Sequence, residues 1–461
     1  MNPQLPSACG RRAAAVIIAL TMTLSVSAGI GARFPSEKKV VPDPVTGIPL
    51  TFLTSRPVGD SKIYQTHHQW TCDGQWLVFR SNRVKGQAMA VNERTGDIVQ
   101  VTAGGFTGML CLADHSMNLY FARFRTTAAP ADVGSATAYP GAAGTKDGAP
   151  AESAEIVRVD LARLFADSAA GRLGAATEYE HVCGTIPAEM GAVGDVALDP
   201  TEDFVYFRVG SKEYAARHLP PGTKVEGDYG PRHMGAGPTG LAKMNVRTGE
   251  VSFIVAVPFQ IGHVQTNPWV PGEIVFCWET GGKAPQRTWV VNADGSGLRP
   301  LYPEAPYDWV THEAVITRDE VAFAIMGHQP VGHRDEWGIA GTREHPTGLA
   351  VVNLRTRQMR IEGQTKHGSG FWHVNGSPDG RWLVGDDFAR NLWLIDRHTG
   401  EMRLLSTGHK ETAADHPHPT FSPDSTRIEI QSAMLSADNR SMNICVVPVP
   451  EEWLKRTYPG K

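Results

Sequence analysis

Short runs of alternating apolar and polar residues, separated by tight turns, fill most of the chain, and one unit recurs. A strand-like run leads into a turn resembling Ser-Pro-Asp-Gly, and an alternating apolar strand follows. The clearest copies are HHQWTCDGQWLVF from His67, WHVNGSPDGRWLV from Trp372 and HPHPTFSPDSTRIEI from His416. Weaker copies begin at Asp195, Val264 and Thr311, and MLCLADHSMNLYF from Met109 completes the set. Period-two alternation is the pattern of strands with one buried face. After each copy comes a second hairpin, with turns such as NERTGD at Asn92, NVRTGE at Asn245, NADGSG at Asn292 and DRHTGE at Asp396. Their Thr-Gly and Asp-Gly pairs supply the positive φ that tight hairpins need. Two hairpins make one four-stranded blade. About seven such units, spaced by roughly 40–60 residues, predict an all-β fold, a seven-bladed β-propeller formed as one domain over 29–461.

Composition supports this reading. The 461 residues include 48 Gly and 32 Pro, which suits many short strands and turns. The net charge of -4 gives no electrostatic reason to expect nucleic acid. At the N-terminus, Arg11 and Arg12 precede the apolar run AAAVIIALTMTL, and Val26-Ser27-Ala28 fits a cleavage site. Residues 1–28 therefore read as a signal peptide. The mature chain is expected in the periplasm or outside the cell, with no stable membrane span, as a monomer or small homo-oligomer. Beyond it, Cys72, Cys111, Cys183, Cys277 and Cys445 show no C-x-x-C spacing. Neither a zinc knuckle nor a disulfide scaffold is indicated, although one disulfide remains compatible with export.

Loop lengths are uneven. Residues 126–153 are rich in Ala, Gly and Pro and read as a disordered insertion. Two further insertions carry more chemistry: 211–239, with Arg217, His218, Arg232 and His233, and 328–346, with His328, His333, Arg334 and His345. Long polar loops on a rigid scaffold commonly form a ligand-binding face.

Equivalent positions of different blades lie on one ring, so distant residues meet at the channel mouth. Histidine recurs near the start of the unit: His67 and His68, His263, His312, His373, and His416 with His418. An H-x-H spacing on a strand points both imidazoles to one face, a ready metal chelate. Alone, the pair reads equally as two solvent-facing histidines between prolines; His312 in THE tips the balance toward an open, catalytic type of site. His263 stands at a blade start as a candidate general base. Arg287, one hairpin later, offers a fork for a carboxylate, with a surface ion pair as the bland alternative. Asp386 and Asp387 read as a turn pair, with a weaker claim to orienting an imidazole.

The ordered set GHVQTNP, FCWE, RTWVVNADG, THE, WHVNGSPDG, LVGDD and HPHPTFSPD resembles the oligogalacturonate lyases, family 22 of the polysaccharide lyases. The resemblance runs from about residue 60 to the end. It implies a seven-bladed propeller that cleaves galacturonides by β-elimination using a bound divalent metal, manganese. By motif, His312, His416 and His418 resemble the metal ligands and His263 the base. His373, Arg232 and Lys243 are expected at the uronic-acid oligosaccharide. There are two departures. The family has a Gln three residues before the first His of the pair, where this chain has Ala413. It also has an Arg about one hairpin before the base, where this chain has Gly240 or Lys243. Two other readings stay open: a non-catalytic periplasmic propeller binding carbohydrate or protein, and a metal-dependent hydrolase.

Overall fold

A computed structural model describes residues 29–124, 153–229, 232–327, 347–364 and 370–458. Residues 1–28, expected from the sequence to be a signal peptide, nearly all of the 126–153 insertion and the 328–346 insertion lie outside the described residues.

The described strands form seven antiparallel sheets, five of four strands and two of five. Each sheet is a blade, and the recurring sequence unit marks its first two strands. The inner strands, in chain order, are Asp60–Lys62, Thr107–Leu112, Ala192–Leu198, Ile261–Thr266, Asp308–Thr317, Phe371–Gly376 and Thr420–Phe421. We number the blades one to seven in that order. The chain therefore folds as the predicted seven-bladed β-propeller.

The ring closes in a way the repeat pattern does not announce. Blade seven takes its two outer strands, Pro49–Phe52 and Lys39–Pro42, from the N-terminal end, against Asn443–Pro448 from the C-terminal end. Leu50 and Phe52 are completely buried there, against Trp382, Ile428 and Cys445. Side chains of this size stabilise by roughly 1.5–3 kcal/mol each when buried. The clasp thus joins the chain ends through the apolar core. Similar clusters pack each blade on its neighbours, as with Val78, Leu110, Phe121 and Val157 between blades one and two.

Cys72, Cys111, Cys183, Cys277 and Cys445 are all free thiols, and Cys277 and Cys445 are core residues. No helix among the described residues is long and apolar enough to cross a membrane.

Candidate active site and metal centre

A local break in the inner strands builds the site. In blades two to six the inner strand loses register with its neighbour, at Thr107/Leu110, Ala192/Val196, Gly262/Gln265, Thr311/Ala314 and Phe371/His373. Such bulges bend the strand and re-aim side chains. At the break, His263 and His312 have φ of 50° and 55°, and His418, just ahead of Thr420–Phe421, has 52°. A left-handed φ is uncommon for a residue with a Cβ. In blades two and three, glycines stand at the break. A Cβ on Gly108 would lie 1.9 Å from the Gly194 carbonyl oxygen, so the two backbones touch and leave no room for a side chain. The functional groups accordingly gather on blades four to seven and one, joined by Arg232 from the long loop of blade three, around a cavity of about 340 Å³.

On one wall, His263 is buried between two carboxylates. Its Nδ1 lies 3.1 Å from Glu313 Oε1 and its Nε2 3.4 Å from Glu279 Oε2. Arg287 stands behind them, 3.4 Å from Glu279 and 3.6 Å from Glu313. Burial alone would raise the Glu279 carboxyl, but Arg287 and His263 outweigh it and hold it at about 2. Glu313 is likewise held below the ordinary range, with His263 and Arg287 overcoming its burial. The fork of Arg287, expected at a substrate carboxylate, is therefore taken up by protein carboxylates, and the residue is only 3% exposed.

On the adjoining wall, four imidazoles meet, the His312 ring 6.3 Å from that of His263, centroid to centroid. The ring of His373 lies 4.2 Å from His312, 3.5 Å from His418 and 5.6 Å from His416, centroid to centroid. Asp386 is fully buried and spans two of them, with Oδ1 3.2 Å from His373 Nδ1 and Oδ2 2.8 Å from His416 Nδ1. His418 has Gln65 Oε1 at 3.0 Å from Nδ1 and Asp415 at 3.0 Å from Nε2. His312 Nδ1 is buried with no hydrogen-bond partner among the described residues. Burial, with His418 close by, lowers His373 to about 3 despite Asp386, and burial pushes His312 well down. Asp386 stays ionised because His373 and His416 overcome its desolvation. Imidazoles beside a buried carboxylate are a cation's donor set.

Among the described residues, two groups of donors have ligand atoms within 4.8 Å of one another: His373, Asp386 and His416, and His263, Cys277 and Glu279. Electrostatics separates them. Beside the second group stands the Arg287 guanidinium, which repels a cation, and burial pushes the Cys277 thiol well up. The first group adjoins His312 with its orphaned nitrogen. A resident cation fits the imidazole wall.

Sequence-predicted residues fall as follows. His263, Arg287, His312, His373, His416, His418 and Arg232 all line the cavity. His373, expected at the substrate, sits inside the imidazole cluster instead. Lys243 is not brought to the cavity; on Ala236–Asn245 its ammonium donates to the Ala293 carbonyl at 2.9 Å and lies over the Phe204 ring. His67 is a satisfied core histidine, with Nε2 2.9 Å from the Val196 carbonyl, and His68 pairs with Asp114. His416 and His418 precede the inner strand, so their convergence comes from the left-handed turn at His418 and not from strand alternation. Sequence reasoning did not single out Glu279, Glu313, Tyr64, Gln65 or Asp415. Glu313 is adjacent to His312, and alternation would send it to the opposite face; the bulge puts both at the site.

No family model matches the chain. Among curated proteins, the oligogalacturonate lyase of Dickeya dadantii (strain 3937) is 23% identical over 209 residues, 41% of this chain and 50% of that protein. The chain is similar to oligogalacturonate lyases. The oligogalacturonide lyase of Pectobacterium atrosepticum is 23% identical over 212 residues, with the same coverage of 41% and 50%. The chain thus spans about half the length of the curated relatives it matches. A solved oligogalacturonate lyase in complex with manganese superposes at a TM-score of 0.66 and 20% identity, covering 93% of this chain and 100% of that one. The Vibrio parahaemolyticus oligogalacturonate lyase gives 0.65 and 18%, covering 92% and 100%. These superpositions establish the shared fold.

Proposed function

We propose that the protein is a lyase that cleaves short galacturonides by β-elimination, assisted by a divalent cation, manganese in the first instance, and that it does so in the periplasm or outside the cell. One observation carries this reading: His263, with Nδ1 held at 3.1 Å by Glu313, shares a cavity with the four-imidazole cluster. A site that only bound sugar has no need of an oriented imidazole beside a cation's donor set.

β-elimination removes the proton on the carbon next to a uronate carboxylate and expels the sugar oxygen one carbon further on. His312, His416 and His418, joined by His373, would hold the cation. A cation at the substrate carboxylate supplies stabilisation for the negative charge that develops beside it. The chain's own residues do the rest. Nε2 of His263 takes the proton, with its ring set by Glu313, and Glu279 stands ready to stabilise the imidazolium. Arg232 is exposed at the cavity rim, with no ion-pair partner among the described residues, and would meet a substrate carboxylate. Two walls of opposite task, a base clamp and a cation cluster, thus face one sugar.

The test is the ultraviolet absorbance of an unsaturated uronate. Metal-loaded protein mixed with oligogalacturonides should develop it, and a chelator should abolish it. Silence on all uronides, with metal shown to be bound, would leave a binding propeller or a hydrolase.

A further inference from the structure

We propose that Tyr64 donates the proton taken up by the departing sugar oxygen; this assignment rests on the lyase reading of the same cavity. β-elimination of a sugar needs a base at one carbon and an acid at the leaving oxygen, because an unprotonated alkoxide leaves poorly.

Tyr64 follows the inner strand of blade one and stands between the two walls. Its ring centroid is 4.9 Å from that of His263 and 5.3 Å from that of His418. One phenol therefore adjoins both the base and the cation cluster, where the bond to be broken must lie. The Lys62 ammonium, the other acid at the cavity, gives two of its three protons to the Ile63 carbonyl and to Thr420 Oγ1, each at 2.9 Å, which ties it between blades one and seven. Guanidinium groups do not give up a proton. The clustered imidazoles need their lone pairs to hold a cation.

The step balances. His263 takes the proton from the carbon next to the carboxylate. The electron pair of that C–H bond becomes the second bond of C=C. The neighbouring C–O bond breaks with its pair on oxygen, and the Tyr64 hydroxyl proton moves to that oxygen. Phenolate and imidazolium remain, and transfer of the proton between them through solvent restores both without consuming water.

The test is Tyr64→Phe in the full metal-loaded chain on two substrates, an oligogalacturonide and a galacturonide bearing fluoride as the leaving group at the same carbon. Fluoride needs far less help from an acid. Turnover of the oligogalacturonide should fall by about 100-fold or more. Turnover of the fluoride should stay close to wild type, and manganese affinity, read by titration calorimetry, should not change. Equal losses on both substrates, or no loss on either, would overturn the assignment. Wild-type protein inert toward both would overturn the lyase reading, and the assignment with it.

Discussion

Nδ1 of His263, on blade four, lies 3.1 Å from Oε1 of Glu313, on blade five. The contact crosses a blade boundary and exists because the bulge at Thr311/Ala314 turns Glu313 inward. A carboxylate on Nδ1 fixes ring and tautomer, leaving Nε2 to accept a proton. Glu313→Gln should lower kcat on an oligogalacturonide by roughly 100-fold. Manganese affinity should be unchanged. Steady-state kinetics beside calorimetry checks both halves.

Asp386 organises the other wall. It touches His373 and His416 at once. Removing such a buried carboxylate typically weakens metal binding by about 10–100-fold. Asp386→Asn should show that loss in a manganese titration followed by electron paramagnetic resonance of the free ion. Unchanged affinity would place the cation elsewhere, with the His263, Cys277 and Glu279 group as the alternative.

Arg232 is the exposed guanidinium at the rim. The contact proposed for it with an anionic substrate would be made before and during reaction alike, so its loss should act on binding. Arg232→Ala should raise KM by about tenfold with a smaller change in kcat. The effect should shrink as the ionic strength of the assay rises.

Glu429 sits completely buried on Arg427–Ser432, with neither carboxyl oxygen hydrogen-bonded among the described residues. Burial pushes it up to about 8, against the nearby Lys62 ammonium. Folded protein keeps this proton until pH passes about 8, whereas the unfolded chain releases it near the ordinary carboxylate value of about 4.3. Between those values the unfolded state binds fewer protons, so this group makes stability fall as pH rises. Glu429→Gln removes the titration. The variant's Tm relative to wild type should climb between pH 5 and pH 8, read by calorimetry across that range. A flat difference would show that Glu429 does not titrate in the folded protein.

Much of this arrangement is legible in the chain. Recurring turn chemistry identifies the blades, because a hairpin's φ requirements are local. Recurring histidines at blade starts identify His263, His312, His373, His416 and His418, because the ring brings equivalent positions together. What depends on bulges is not legible: alternation places His312 and Glu313 on opposite faces, and the left-handed turn at His312 overrides it. Tyr64 stands in no motif and reaches the site because blade one closes the ring beside blade seven. Lys243 fails for the converse reason. It reads as a cation near the base in sequence, but its strand is the third of its blade, away from the channel.

The most direct test is the mass of the products. Purified protein, loaded with manganese, is given a defined oligogalacturonide, and the two fragments are weighed by mass spectrometry. Elimination at the His263 site predicts that together they weigh the same as the substrate, with the double bond on the fragment that carried the abstracted proton. Fragments that together weigh one water more than the substrate would contradict elimination and make the site a hydrolase.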